Sequence, residues 1–507
     1  MNPSDYRREY AAFCSALERA RHRLHAGHDS EPNLQPIFER YTDLWTREAT
    51  ESLRLAREET PAHLETERAA LLALVGAARN LYAEAYARET SDELALCEAS
   101  ARMEWEGERV AAGDVPGRIE VESDAVRRSE LAARWFDAIR SCDDLRAARL
   151  EAVRESARVL GFDDERRMRQ ETTGVEDEKV AAGADAFLQR TSSVYHRHLA
   201  QWASRELSPQ LAAAPKYADS LFFRRMGQLD ALFSRRKLQT VYAATMRGLG
   251  IRVETQSNIR IDDEARPLKR AGASSFGIDV PDEIYLVVNP QSTGARLYRD
   301  FFQQAGRAQV WAWASRDVAQ RYPEFIYAPD GATREGHALL FGSLFQEAAW
   351  HAEQFGLRET EAKDAARTFA LAEMYEIRLC CARLGYGLAL RDAADARSEQ
   401  LAETYATLHT EATGFRYEAA TSLFDASEAD GASVRLRASL FAAGLREYLR
   451  ERYGRRWWNA RGTGDELIDV WNTASRYRVE ELARLIGAGE LDFDLLADNL
   501  VATMNDE

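Results

Sequence analysis

The sequence predicts a mainly α-helical protein with one small β-sheet. Three observations carry this. Apolar residues recur at helical spacing through most of the chain, only 12 prolines occur in 507 residues, and a single stretch, about 249–290, alternates as strands do. Few prolines fit long helices joined by short connections.

The helical stripes come in order along the chain. Leu34, Ile37, Phe38, Tyr41, Leu44 and Trp45 fall on one face, with Pro36 near the start, where a missing N–H costs little. Similar stripes run through residues 64–100, 128–160, 178–205 and 359–411. His22, His25 and His28 lie near the end of the first helix, where cationic side chains suit the dipole. Leu440, Phe441, Leu445, Tyr448 and Leu449 line a late helix, and Gly454 follows as its stop. The sheet is expected from Ile251-Arg252-Val253, Asn258-Ile259-Arg260-Ile261, Ser275-Phe276-Gly277-Ile278 and the β-branched run Ile284-Tyr285-Leu286-Val287-Val288.

Composition removes several classes of function. The net charge of −16 opposes a phosphate backbone, and no basic patch offsets it, so nucleic acid is not an expected partner. No run of apolar residues reaches a membrane span, and Met1 to Glu9 lacks a signal peptide's apolar core. The cysteines (Cys14, Cys97, Cys142, Cys380, Cys381) show no C-x-x-C spacing. They read as buried thiols in a reducing compartment, so a cytoplasmic location is expected. Phosphate-loop, dinucleotide and nucleophile-elbow motifs are absent. None of the nine histidines is followed by glutamate, so H-E-x-x-H occurs nowhere, and none has a glutamate three residues before it.

What remains is an ordered constellation. The strand run ends in Asn289-Pro290-Gln291, a helix pattern of about 296–313 follows with Phe301-Phe302-Gln303-Gln304-Ala305-Gly306-Arg307-Ala308, and then comes Thr333-Arg334-Glu335-Gly336-His337-Ala338. This order resembles the thimet oligopeptidase and oligoendopeptidase F family of zinc metallopeptidases. Pro36-Ile37-Phe38-Glu39-Arg40-Tyr41, the segment Leu445 to Trp458, and Gly489-Glu490-Leu491-Asp492-Phe493-Asp494 extend the likeness over most of the chain.

The resemblance implies a two-lobed helical, metallopeptidase-like fold around a deep channel, with the sheet at the cleft wall. It implies an N-terminal helical lobe over 1–205 and a catalytic-like lobe over 206–507, interleaved as one fold. In that family two histidines one helical turn apart and a glutamate on the next helix hold zinc, and a glutamate inside the motif activates water. By resemblance Gln303 and Arg307 stand at the histidine positions, Gln304 at the base position and Glu335 at the distal ligand. A glutamine is a poor zinc ligand and no general base, and a guanidinium has no lone pair to give. Zinc hydrolysis by the family's mechanism is therefore not expected, and zinc is expected to be absent.

Loss of the ion would leave Glu335 as an uncompensated buried anion, so an Arg307–Glu335 ion pair is expected in its place. Leu436-Arg437-Ala438 follows Ser433-Val434-Arg435 where relatives carry tyrosines suited to an oxyanion, a second departure. In relatives a sheet edge beside this helix holds an extended peptide, which makes Ser275, Phe276, Gly277 and His337 the peptide-binding candidates. His337 is also read as a packing residue. The function so expected is a catalytically inactive peptidase homologue that binds a peptide or protein, or supports an active peptidase partner. An enzyme with a relocated metal at Glu347 and His351, spaced i, i+4, or with another reaction in the same cleft, is the alternative.

Overall fold

The computed structural model describes residues 1–31, 34–328 and 330–505. Among them are twenty-five α-helices and five short strands. The chain forms two compact units, each assembled from three stretches. One comprises Met1–Tyr82, Gln228–Ala366 and Arg437–Leu496; the other comprises Ala83–Gly227, Arg367–Leu436 and Ala497–Glu507.

The strands are β1 (Arg102–Trp105), β2 (Glu108–Ala111), β3 (Ile259–Asp262), β4 (Ala273–Asp279) and β5 (Glu283–Val288). Four helices position the site: α1 (Pro3–His25), α2 (Gly294–Ala312), α3 (Ala332–Ser343) and α4 (Ala432–Tyr453). In α1 the Asn2 side chain accepts from the Asp5 N–H at 2.9 Å, capping a first turn that opens with Pro3. Tyr6, Tyr10 and Phe13 recur at helical spacing and bury against Leu44, Leu53, Leu71 and Leu74.

In the first unit, β5 is the central strand, parallel to β3 and antiparallel to β4. Its Ile284, Leu286, Val287 and Val288 are all buried, as a strand covered on both faces requires. The two-residue period then sorts the side chains. Phe276, Ile278 and Val287 pack with Ala26 beyond the end of α1. Ile284 and Val280 pack instead with Ala308 and Trp311 of α2 and with Phe325 and Ile326. Each such side chain contributes roughly 1.5–3 kcal/mol by leaving water.

Three expectations are corrected. The sheet is not the only one: in the second unit β1 and β2 form a hairpin whose Met103, Trp105 and Val110 bury against Leu131, Trp135 and Ile139. Its two-residue loop, Glu106-Gly107, has φ of +52° and +83°; a glutamate there gives a weaker signal than Asn or Asp would. Ile251-Arg252-Val253 is not a strand. Gly250 takes φ +80° and the Ile251 N–H bonds the Met246 carbonyl, so these residues close the preceding helix. Cys97 and Cys142 are not free thiols but a disulfide, while Cys14, Cys380 and Cys381 are free and buried.

The disulfide closes a separation of 45 residues within the second unit. Replacing Cys97 by Ser is expected to lower stability by about 2–4 kcal/mol, through the freedom regained by the unfolded chain. Thiol counting under denaturing conditions without reductant should find three reactive cysteines per chain, the number free in the structure. A count of five would contradict the assignment. No helix among the described residues is long and apolar enough to cross a membrane.

Candidate functional site: the crossing of α2 and α3

α2 is held along one flank by a closed amide network. Gln309, fully buried, exchanges bonds with Gln256 at 2.9 and 3.0 Å, donates to the Tyr242 hydroxyl at 3.0 Å and accepts from the Trp313 indole at 2.9 Å. Every polar group of that side chain is satisfied, which fixes the helix's rotation about its axis. α2 meets α3 at Gly306. A Cβ there would lie 3.0 Å from the Ala338 Cα and 3.0 Å from the His337 carbonyl oxygen, so any larger residue would push the two helices apart by a few tenths of an ångström.

The start of α3 is clamped too. Asp330 accepts from the Ala332 N–H at 2.8 Å, and its other oxygen accepts from Arg437 of α4 at 2.7 Å. Arg437 also forks onto Glu480 at 2.5 and 3.0 Å. The arginine of the Leu436-Arg437-Ala438 segment is thus a buried structural clamp that holds the helix bearing Glu335.

The close approach brings the sequence-derived positions to defined partners. The Arg307 Nε donates to Glu335 Oε2 at 2.9 Å, and Nη2 donates to the same oxygen. The two side chains are 26% and 15% exposed, so the pair is mostly but not fully removed from water. The Gln304 side-chain Oε1 accepts from the Ser275 hydroxyl of β4 at 2.8 Å. Gln303 lies against Gly342 of α3, its amide nitrogen 2.7 Å from where a Cβ would be. Three residues at i, i+1 and i+4 therefore reach three different contacts instead of converging on one point.

The other candidates divide by strand parity. Ser275 and Gly277 face α2; a Cβ on Gly277 would meet the Trp311 ring at 2.9 Å. Phe276 faces the other way, buried edge-on to His22 and His25. The Tyr327 hydroxyl donates to the Ile278 carbonyl at 3.2 Å, using part of β4's backbone capacity. The His337 ring is 1% exposed and edge-on to Phe441 and Trp471. Burial pushes its imidazole down to about 3, so it is neutral at ordinary pH.

Glu347 and His351 do not converge. Glu347 accepts from Arg446 at 2.6 Å, whereas the His351 Nε2 sits 2.8 Å from the Phe345 carbonyl. Gln309, Arg437 and Arg334 were not singled out from the sequence. A glutamine or arginine on an amphipathic helix reads as solvated until its distant partner is known.

No family model matches the sequence, and no curated protein matches it. Solved structures do. PZ peptidase A with inhibitor 2 has a TM-score of 0.66 at 13% identity, over 99% of this chain and 91% of its own. A protein described as an oligoendopeptidase F from Bacillus anthracis str. Ames gives 0.64 at 12%, over 98% and 89%. The fold is that of the oligoendopeptidase F-like peptidases.

At these identities the likeness is one of fold alone. On this oligoendopeptidase-like frame the side chains at the α2–α3 crossing do not suit a zinc ion. Glu335 is engaged by a permanent cation, and the two glutamines point to β4 and to Gly342. Among the described residues no group of three or more His, Cys, Asp or Glu side chains is placed to hold a metal.

Proposed function

We propose that this chain is a non-hydrolytic member of the oligoendopeptidase F-like group, a pseudopeptidase that binds an extended peptide or a protein segment. Support for a catalytically active homologue by such binding falls within the same reading. The observation that carries it is the Arg307–Glu335 ion pair, a guanidinium seated at the positions that the resemblance gives to a zinc ligand and its distal partner. A carboxylate paired with arginine is unavailable to a divalent ion, and Gln304, at the position that the resemblance gives to the water-activating base, is a neutral amide.

The binding half of the proposal is supported by β4, an edge strand in the order β3-β5-β4 that packs directly on α2. Backbone pairing along such an edge needs no metal. A deep channel beside that edge belongs to the same proposal, as does the absence of a role for zinc. The enzymatic alternative at Glu347 and His351 is disfavoured by the partners those side chains already have.

The test uses an uncharged hexapeptide of alternating serine and valine, blocked at both ends. Calorimetry is expected to detect its binding, and mass spectrometry after prolonged incubation is expected to recover it intact. Chelator-sensitive cleavage of the peptide would contradict the proposal.

A further inference from the structure

One cation at the α2–α3 crossing is not balanced. Arg334 precedes Glu335 on α3, and its guanidinium lies 5.2 Å from the centroid of the Trp311 ring, one helical turn beyond Arg307 on α2. The crossing thus has two rungs, Arg307 with Glu335 and Trp311 with Arg334. Among the described residues, the only hydrogen bond of the second guanidinium runs from Nη1 to the Ile326 carbonyl at 3.2 Å, and no carboxylate of those residues comes within ion-pairing distance.

Charge bookkeeping then leaves a surplus. Arg307 and Arg334 are close enough that Arg307 helps to push the Arg334 guanidinium down from its ordinary value, after burial as the larger cause. Glu335 supplies one negative charge to the pair of cations. Glu18 of α1, the other acid near Arg334, is engaged by Arg21 at 3.0 Å. Arg307 spends Nε and Nη2 on Glu335, so its Nη1 remains, and both arginines keep some solvent exposure. The Trp311 indole N–H, on a residue only 7% exposed, also has no acceptor among the described residues.

A partly desolvated guanidinium with unpaired N–H groups favours a planar oxyanion, which it can meet with two parallel hydrogen bonds. We infer that Arg334, assisted by Arg307, is a seat for a carboxylate of the bound chain, so that the ligand class is an acidic peptide or a peptide with a free C-terminus. This rests on the peptide-binding reading above and specifies what that peptide must carry. Arg334 is here a binding residue, and no bond is made or broken.

Three hexapeptides of alternating serine and valine test it by calorimetry at low salt. One is blocked at both ends, one has a free C-terminal carboxylate, and one is blocked with a central glutamate. The wild type is expected to bind at least one carboxylate peptide about tenfold or more tighter than the neutral one. In Arg334→Gln that ratio should fall to near one, and Arg334→Lys should keep part of it. Preference for the second peptide identifies a chain terminus; preference for the third identifies an acidic side chain; either supports the inference. Equal binding of all three, or a preference that survives Arg334→Gln, overturns the carboxylate seat and leaves peptide binding standing. Failure of every peptide to bind overturns both.

Discussion

Arg307→Leu is expected to destabilise the protein by about 1–3 kcal/mol, and Arg307→Leu with Glu335→Leu to cost much less than the two single changes added together. Removing the guanidinium alone leaves the Glu335 carboxylate, 15% exposed, facing the packed Gly306–Ala338 crossing without its main cation. Removing both leaves an apolar contact of similar volume. A fully buried pair would give a larger effect, but partial exposure of Arg307 lets water screen some of the loss. Urea unfolding of the four proteins, followed by tryptophan fluorescence, measures the coupling. Additive single effects would mean that the two side chains act independently.

Stability is expected to fall steeply as pH drops below about 6.5, on the order of several kcal/mol by pH 5. Burial pushes His22, His351 and His409 each down to about 4 and His337 to about 3. A histidine that is neutral when folded and titrates near 6.5 when unfolded makes the unfolded state the better proton binder between those values. Its contribution is complete above pH 6.5 and is lost as the pH falls towards its folded value. Glu324 acts in the opposite sense. Burial raises its carboxyl to about 7 despite Arg7 at 2.7 Å, so its contribution is greatest in acid and is lost as pH rises through about 7. His25 and His196 are also held down by burial, and these six imidazoles against the three carboxyls that burial raises, Asp143, Glu165 and Glu324, decide the direction. Chemical unfolding at half-unit steps from pH 7.5 to 5 should show the decline, and His337→Phe should make it shallower. A stability that is level across that range would contradict the burial of these imidazoles.

Both results draw on features that differ in how far the sequence disclosed them. The helical stripes were legible because a 3.6-residue period is local: residues 178–205 become a helix over Asp177–Glu206, and 296–313 one over Gly294–Ala312. The strand Glu283–Val288 was legible from its β-branched run. The Arg307–Glu335 contact followed from the resemblance, which sets both positions at one site, together with charge balance there. The Cys97–Cys142 link was hidden because its partners are 45 residues apart with no motif between them. Gln309 and Arg437 were hidden for a similar reason, since Gln256, Tyr242, Asp330 and Glu480 come to them only through tertiary packing. Phe276 is expected from the resemblance to contact a peptide, but strand parity turns it towards α1, a distinction that depends on which face of the sheet α2 covers.

By the proposed reading, the Arg307 guanidinium stands where the resemblance would place a metal ion. The most direct test of that reading is the zinc content of the protein after incubation with excess zinc and removal of unbound ion, read by atomic emission. Far less than one zinc per chain is expected, unchanged in Glu335→Gln. One zinc per chain in the wild type, lost in Glu335→Gln, would contradict it.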